Sequence, residues 1–132
     1  MSIDYQYVHL VWSTKRREAV LNKKVIIDLS KIIKSIAEEK HIKLLAINGY
    51  KDHIHCLAKL RRSQSISLIA KQLKGGSSFL YNRSVPDEKR IQWQRGYFSE
   101  SIPVPDVTNV LNYIFHQERI HLKREYKFLD LK

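Results

Sequence analysis

The sequence predicts an α+β fold: an antiparallel sheet packed against two helices, with a third helix towards the C-terminal end. Three observations carry this. Short runs rich in aromatic and β-branched residues alternate apolar with polar positions. Between them, apolar residues recur twice at helical spacing, over 23–40 and 65–81. The resulting order, β-α-β-β-α-β and then α, is the ferredoxin-like or split βαβ arrangement.

Each element has a local reason. Tyr5 to Trp12 (YQYVHLVW) reads as a strand, and Ser13 to Arg17 (STKRR) as a polar, basic loop. Lys23 to Lys40 places Ile26, Leu29, Ile33, Ile36 and Ala37 on one helical stripe. Ile42 to Tyr50 and Asp52 to Leu60 read as antiparallel neighbours joined near Tyr50-Lys51-Asp52. Ser65 is the expected N-cap of a second helix reaching about Tyr81, with Gly75-Gly76 as a weak point inside it. Ile91 to Ser101 is expected to be extended, with a break at Gly96. Pro103 and Pro105 punctuate the chain, and Asp106 is the expected N-cap of a third helix running to about Lys123.

At 132 residues the chain has room for one domain, spanning 1–132, and its 43% apolar content suits a packed core. Lys and Arg number 24 against 13 Asp and Glu, a formal net charge of +11. Such an excess favours a polyanionic partner. One cysteine, Cys56, excludes an intramolecular disulfide and a multi-thiolate zinc cluster, and fits a reducing, cytoplasmic compartment. The N-terminal segment lacks the basic start of a signal peptide. No stretch approaches the roughly 18 apolar residues of a membrane span.

Within the predicted strand DHIHCLAKL, His53 and His55 share a face, about 7 Å apart at ~3.3 Å rise per residue. Two imidazoles so placed can converge on one metal ion, although two ligands do not complete a coordination shell. Ile54, Cys56, Ala58 and Leu60 take the opposite, core-facing side. The competing reading is a pair of half-exposed polar residues on an open sheet.

In the last helix Tyr113 and Gln117 are four residues apart and lie one above the other, at the border of the stripe Val107, Val110, Leu111 and Ile114. A tyrosine hydroxyl there can attack phosphorus when a metal polarises the phosphate. Gln117 offers a carbonyl oxygen, a hard ligand suited to Mg2+ or Mn2+. The competing reading makes Tyr113 a boundary residue and Gln117 a surface one; there are seven tyrosines, and physics alone does not single out this one.

Four segments in order, VHLVWSTKRREAVL, DHIHCL, QWQRGYFSESI and VLNYIFHQERIH, give the chain a resemblance to a known family. It resembles the single-tyrosine transposases of the His-hydrophobe-His superfamily. These include the TnpA-type enzymes of small insertion sequences and their relatives associated with repetitive extragenic palindromes. It differs in having Tyr50-Lys51 where the family often has Met-Pro, and in lacking a small residue within Gly-Tyr-Phe-Ser. The resemblance implies a homodimer acting on single-stranded DNA marked by hairpins. It implies that His53, His55 and Gln117 hold a divalent cation, Mg2+ or Mn2+. Tyr113 would form a 5′-phosphotyrosine link and release a 3′-hydroxyl, from its own or the partner's metal site.

The basic residues Lys15, Arg16 and Arg17 in the first loop, with Lys71 and Lys74 on the second helix, are the candidate DNA contacts, weighed against a solvated charged face. Trp93, Tyr97 and Phe98 are candidates for stacking on unpaired bases and equally for core packing. His9 and His121 are expected to be structural, with a substitute-ligand or supporting role as the alternative. Two other functions compete. A non-catalytic module binding RNA or DNA hairpins would fit the charge, but no RNA-recognition signature is visible. A zinc hydrolase would need a third strong ligand and a general base.

Overall fold

The computed structural model describes residues 5–116. Its elements are β1 (Tyr5–Ser13), α1 (Lys23–Glu39), β2 (Lys43–Tyr50), β3 (His53–Arg61), α2 (Ile66–Arg83), β4 (Phe98–Ile102) and α3 (Val107–Phe115). The strands form one sheet in the order β2-β3-β1-β4, and every neighbouring pair is antiparallel. This is the ferredoxin-like topology, with α3 added.

Strand alternation divides the sheet. On one face Val8, Leu10 and Trp12 of β1 and Ile54, Cys56, Ala58 and Leu60 of β3 are buried against Leu29 and Ile33 of α1 and Leu73 of α2. On the other, Leu57, Ala46 and Ile102 pack with Ile114 of α3, joined by the half-buried Tyr7, Val107 and Val110. No helix among the described residues is long and apolar enough to cross a membrane.

Asn22 caps α1 by accepting from Val25 N–H, and Ser65 caps α2 by accepting from Leu68 N–H. The Gly75-Gly76 pair does not break α2. Its reason is packing: a Cβ on Gly76 would lie 2.9 Å from Cδ1 of Ile36 on α1, so glycine lets the two helices approach closely.

Two expectations need correction. Asp106 does not cap α3 through its side chain. A 3-10 turn over Val104–Asp106 runs directly into the helix, so Asp106 already has near-helical angles (φ −96°, ψ −4°) rather than the extended backbone a cap needs. The extended stretch 91–101 is also only partly strand. Pairing with β1 starts at Phe98, and the preceding residues touch the sheet through one isolated bridge between Trp93 and Thr14. Gly96 lies between at φ +83°, a left-handed angle that costs other residues energy. The expected continuation of α3 to Lys123 lies outside the described residues.

Two glycine substitutions test this packing in opposite directions. A Cβ on Gly49 would meet the His53 carbonyl oxygen and Ile54 Cδ1, each at 2.8 Å, whereas one on Gly75 meets nothing within 4 Å. Urea unfolding should show Gly49→Ala destabilised by about 1–3 kcal/mol through overpacking. Gly75→Ala should be stabilised by about 0.5–1 kcal/mol through helix propensity.

Candidate active site

His53 and His55 both lie on the α3 side of the sheet, since Ile54 and Cys56 occupy the core side. In register, His55 sits between Val11 of β1 and Asn48 of β2, and His53 between Ser13 and Tyr50. Both imidazoles are fully buried, not half-exposed on an open face. Their ring centroids are 4.8 Å apart.

Helix α3 brings Tyr113 onto this pair. The Tyr113 ring lies 5.5 Å from the His55 ring and 6.1 Å from the His9 ring, edge-on in both cases, and its hydroxyl oxygen is buried. The helix is held there by the apolar contacts of Ile114 and by Asn48, whose side-chain amide donates to the Ile114 carbonyl at 2.9 Å. Asn48 is one residue from Gly49, whose N–H donates back to the Asn48 side-chain oxygen at 2.8 Å, so the amide is fixed at both ends.

Buried polar rings need partners, and each histidine uses Nδ1 for one. His53 Nδ1 is 2.8 Å from Asp52 Oδ1, and Asp52 Oδ2 accepts from Arg17 Nε at 3.1 Å. Burial works against the Asp52 carboxylate, but the His53 bond and charge, with the Arg17 guanidinium, hold its pKa below the usual value. His55 Nδ1 is 2.8 Å from His9 Nε2, and the two rings stack at 5.0 Å. Burial lowers the His9 pKa to about 4, so His9 is neutral at pH 7 and one ring of the pair donates while the other accepts.

The pattern of occupied nitrogens fits a metal centre. Ligating imidazoles commonly engage their second nitrogen with a carboxylate or another acceptor, which fixes tautomer and ring orientation. Here Nδ1 of each histidine is so engaged, His53 with Asp52 and His55 with His9. Gln117, the expected oxygen donor, and His121 lie outside the described residues. Among the described residues no cluster of three or more His, Cys, Asp or Glu suited to a metal ion occurs.

The expected DNA contacts divide. Lys15, Lys71 and Lys74 line a groove of about 900 Å³ between α2 and the segment before β4, together with Arg95, Trp93 and Tyr97. This groove is on the α2 side of the sheet, away from Tyr113. Lys74 also ties the groove together: its ammonium donates to the Gly96 carbonyl at 2.7 Å, and partial burial lowers its pKa. Arg16 is exposed, and its backbone N–H donates to Gln94. Arg17 is the residue that holds Asp52. Trp93 is a structural aromatic, edge-on to Trp12 and donating its indole N–H to the Lys74 carbonyl. Phe98 packs on His9 and Val11, on the Tyr113 side.

Sequence reasoning missed Asp52 and undervalued His9. Asp52 immediately precedes His53, a readable hint. His9 becomes a partner of His55 only through the β1–β3 register, which places His9 opposite Leu57, two register positions along from His55 and on the same face.

These features define a class: a ferredoxin-like domain with a buried histidine–tyrosine centre on one sheet face and a basic groove on the other. The chain belongs to the IS200-like transposase family, whose model, described as "Transposase IS200 like", matches residues 2–117. It is similar to the transposase for insertion sequence element IS200 of Salmonella typhimurium, at 30% identity over 115 residues, covering 83% of this chain and 74% of that one. The ISDra2 transposase TnpA of Deinococcus radiodurans is 31% identical over 85 residues, covering 64% and 61%. A crystal structure of a Deinococcus radiodurans protein assigned as a transposase superposes with a TM-score of 0.72 at 26% identity, covering 88% and 93%. A REP-associated tyrosine transposase bound to a REP hairpin shares the fold, with a TM-score of 0.68 at 17% identity, over 92% of this chain and 71% of that one.

Replacing Asn48 by alanine removes the side-chain anchor of α3 without touching a ring of the centre. Stability should fall by about 1 kcal/mol. Hydrogen exchange should quicken selectively in residues 107–115, while the α1 and α2 amides stay protected.

Proposed function

We propose that this transposase-family chain cleaves and rejoins single-stranded DNA at hairpin-marked ends, with Tyr113 as the nucleophile beside a divalent metal held by His53, His55 and Gln117. The observation that carries the reading is the approach of the Tyr113 ring to the buried His55 ring. The hairpin bound by the REP-associated relative supports hairpin DNA as the substrate.

Several roles follow for the chain's own residues. Were a divalent cation held through Nε2 of each histidine, the ring proton would sit on Nδ1. His53 then donates to Asp52, and His55 donates to His9, whose neutral Nε2 accepts. Bound Mg2+ or Mn2+ would act as a Lewis acid, offsetting charge on the scissile phosphate. Tyr113 loses its phenolic proton as its oxygen bonds to phosphorus; the bond from phosphorus to the 3′ oxygen breaks, and that oxygen takes up a proton. The product is a 5′-phosphotyrosine and a free 3′-hydroxyl. One phosphate ester replaces another, so a second 3′-hydroxyl can reverse the step without ATP.

The groove on the opposite face supplies sequence-independent attraction through Lys15, Lys71 and Lys74, with the exposed Arg16 bonded through its N–H to Gln94 of the lining. A homodimer remains part of the proposal, in which the tyrosine serves its own or the partner's metal site.

Incubation with hairpin-bearing single-stranded DNA and Mg2+ or Mn2+ should give an SDS-stable protein–DNA adduct that disappears in Tyr113→Phe. DNA retained without adduct would instead indicate a binding module. Cut product that survives Tyr113→Phe would indicate a hydrolase. Titration calorimetry with Mn2+ alone should show binding weakened about 10–100-fold by Asp52→Asn, the effect expected of a group that orients a ligand. Unchanged affinity would remove Asp52 from the account.

A further inference from the structure

A second basic cluster lies at the other end of the face that carries the histidines. Along β3, residues 53, 55, 57, 59 and 61 share that face. Lys59 is therefore about 13 Å beyond His55, at ~3.3 Å per residue. Lys43 of β2 sits directly opposite Lys59, and Tyr5 of β1 directly opposite Arg61. The four residues, with His41 and Gln64, line a recess of about 230 Å³.

Its construction is unusual for a surface that only meets water. Like charges directly opposite in an antiparallel ladder destabilise it, yet Lys43 faces Lys59. Among the described residues no carboxylate lines the recess, and no ion pair involves Lys43, Lys59 or Arg61. The Lys59 ammonium instead lies 3.8 Å over the Tyr5 ring, which meets the Tyr7 ring edge-on at 5.9 Å. The walls are braced: Gln64 accepts from the Arg61 N–H at 2.7 Å and donates to the His41 carbonyl at 3.3 Å. Tyr5 remains 39% exposed, which leaves part of its ring open for stacking.

We infer that Lys43, Lys59 and Arg61, with Tyr5, form a second binding site for the backbone phosphate of a single-stranded nucleic acid, separate from both the histidine–tyrosine centre and the α2 groove. An oxyanion there relieves the Lys43–Lys59 repulsion and takes charge-assisted hydrogen bonds from the ammonium and guanidinium groups. The exposed Tyr5 ring adds the stacking surface that distinguishes a nucleotide from a free inorganic anion. The recess is smaller than the ~300–1,000 Å³ of an ordinary small-molecule pocket, which suits one sugar-phosphate unit passing over it. The inference rests on the DNA-cleaving reading only for the identity of the polyanion.

The test uses Tyr113→Phe protein, which cannot form the adduct, and a fluorescent single strand without a hairpin. Anisotropy titrations across a range of salt compare Lys43→Ala/Arg61→Ala with Lys31→Ala/Lys34→Ala, an equal charge loss at exposed positions on α1. Loss of two phosphate contacts should lower the slope of log affinity against log salt by about 1.4, and the affinity by roughly 25-fold at 0.1 M salt. The α1 control should change far less. Equal effects of the two double variants would overturn the site and leave the reaction centre standing. Failure of the Tyr113→Phe protein to bind any single strand would overturn both.

Discussion

The seating of α3 on the sheet is the constraint from which the histidine–tyrosine centre follows. Ile114 is fully buried against Leu57, Ala46 and Ile102, and Asn48 holds the last turn by its carbonyl. A helix seated this way has one angular setting. Burying Ile114 places the preceding residue, Tyr113, at the edge of the contact and over the histidines. Apolar packing thus does the positioning, and the polar groups of the centre contribute orientation.

Burial of the imidazoles sets the second requirement. An enclosed ring nitrogen without a partner costs free energy, so each histidine carries its own acceptor or donor from a neighbouring segment. Asp52 comes from the turn before β3 and His9 from β1. The arrangement draws separate parts of the chain into one centre: the basic turn at Arg17 braces Asp52, and β1 braces His55. It also explains why the α2 groove and the buried histidine–tyrosine centre lie on opposite faces. The cations stay at the surface, where they remain solvated, and the groups that must be dry lie beneath a helix.

Much of this was legible in the residues themselves. Alternation in DHIHCLAKL separates a core face from the face that carries the histidines, because a strand's period of two leaves no freedom once Ile54, Cys56, Ala58 and Leu60 are assigned inward. The helical stripes of α1 and α2 were equally plain. Other features depended on tertiary geometry. His9 is 46 residues from His55, and only strand register makes them partners. Gly76 looked like a weakness in α2 until its approach to Ile36 gave it a purpose. Asp106 carried the right side chain for a cap, but Pro105 and the 3-10 turn had already set its backbone. The recess at Lys43, Lys59 and Arg61 left no local trace, since its cations come from two strands.

The proposed role of Tyr113 is tested most directly by locating any covalent attachment of DNA to the protein. Protein linked to a single strand can be digested with protease and nuclease, and the nucleotide-bearing peptide sequenced by mass spectrometry. The prediction is one modified peptide, with a 5′-phosphate ester on Tyr113. A nucleotide on any other tyrosine, or one attached through its 3′ end, would contradict the placement of the nucleophile beside the paired imidazoles.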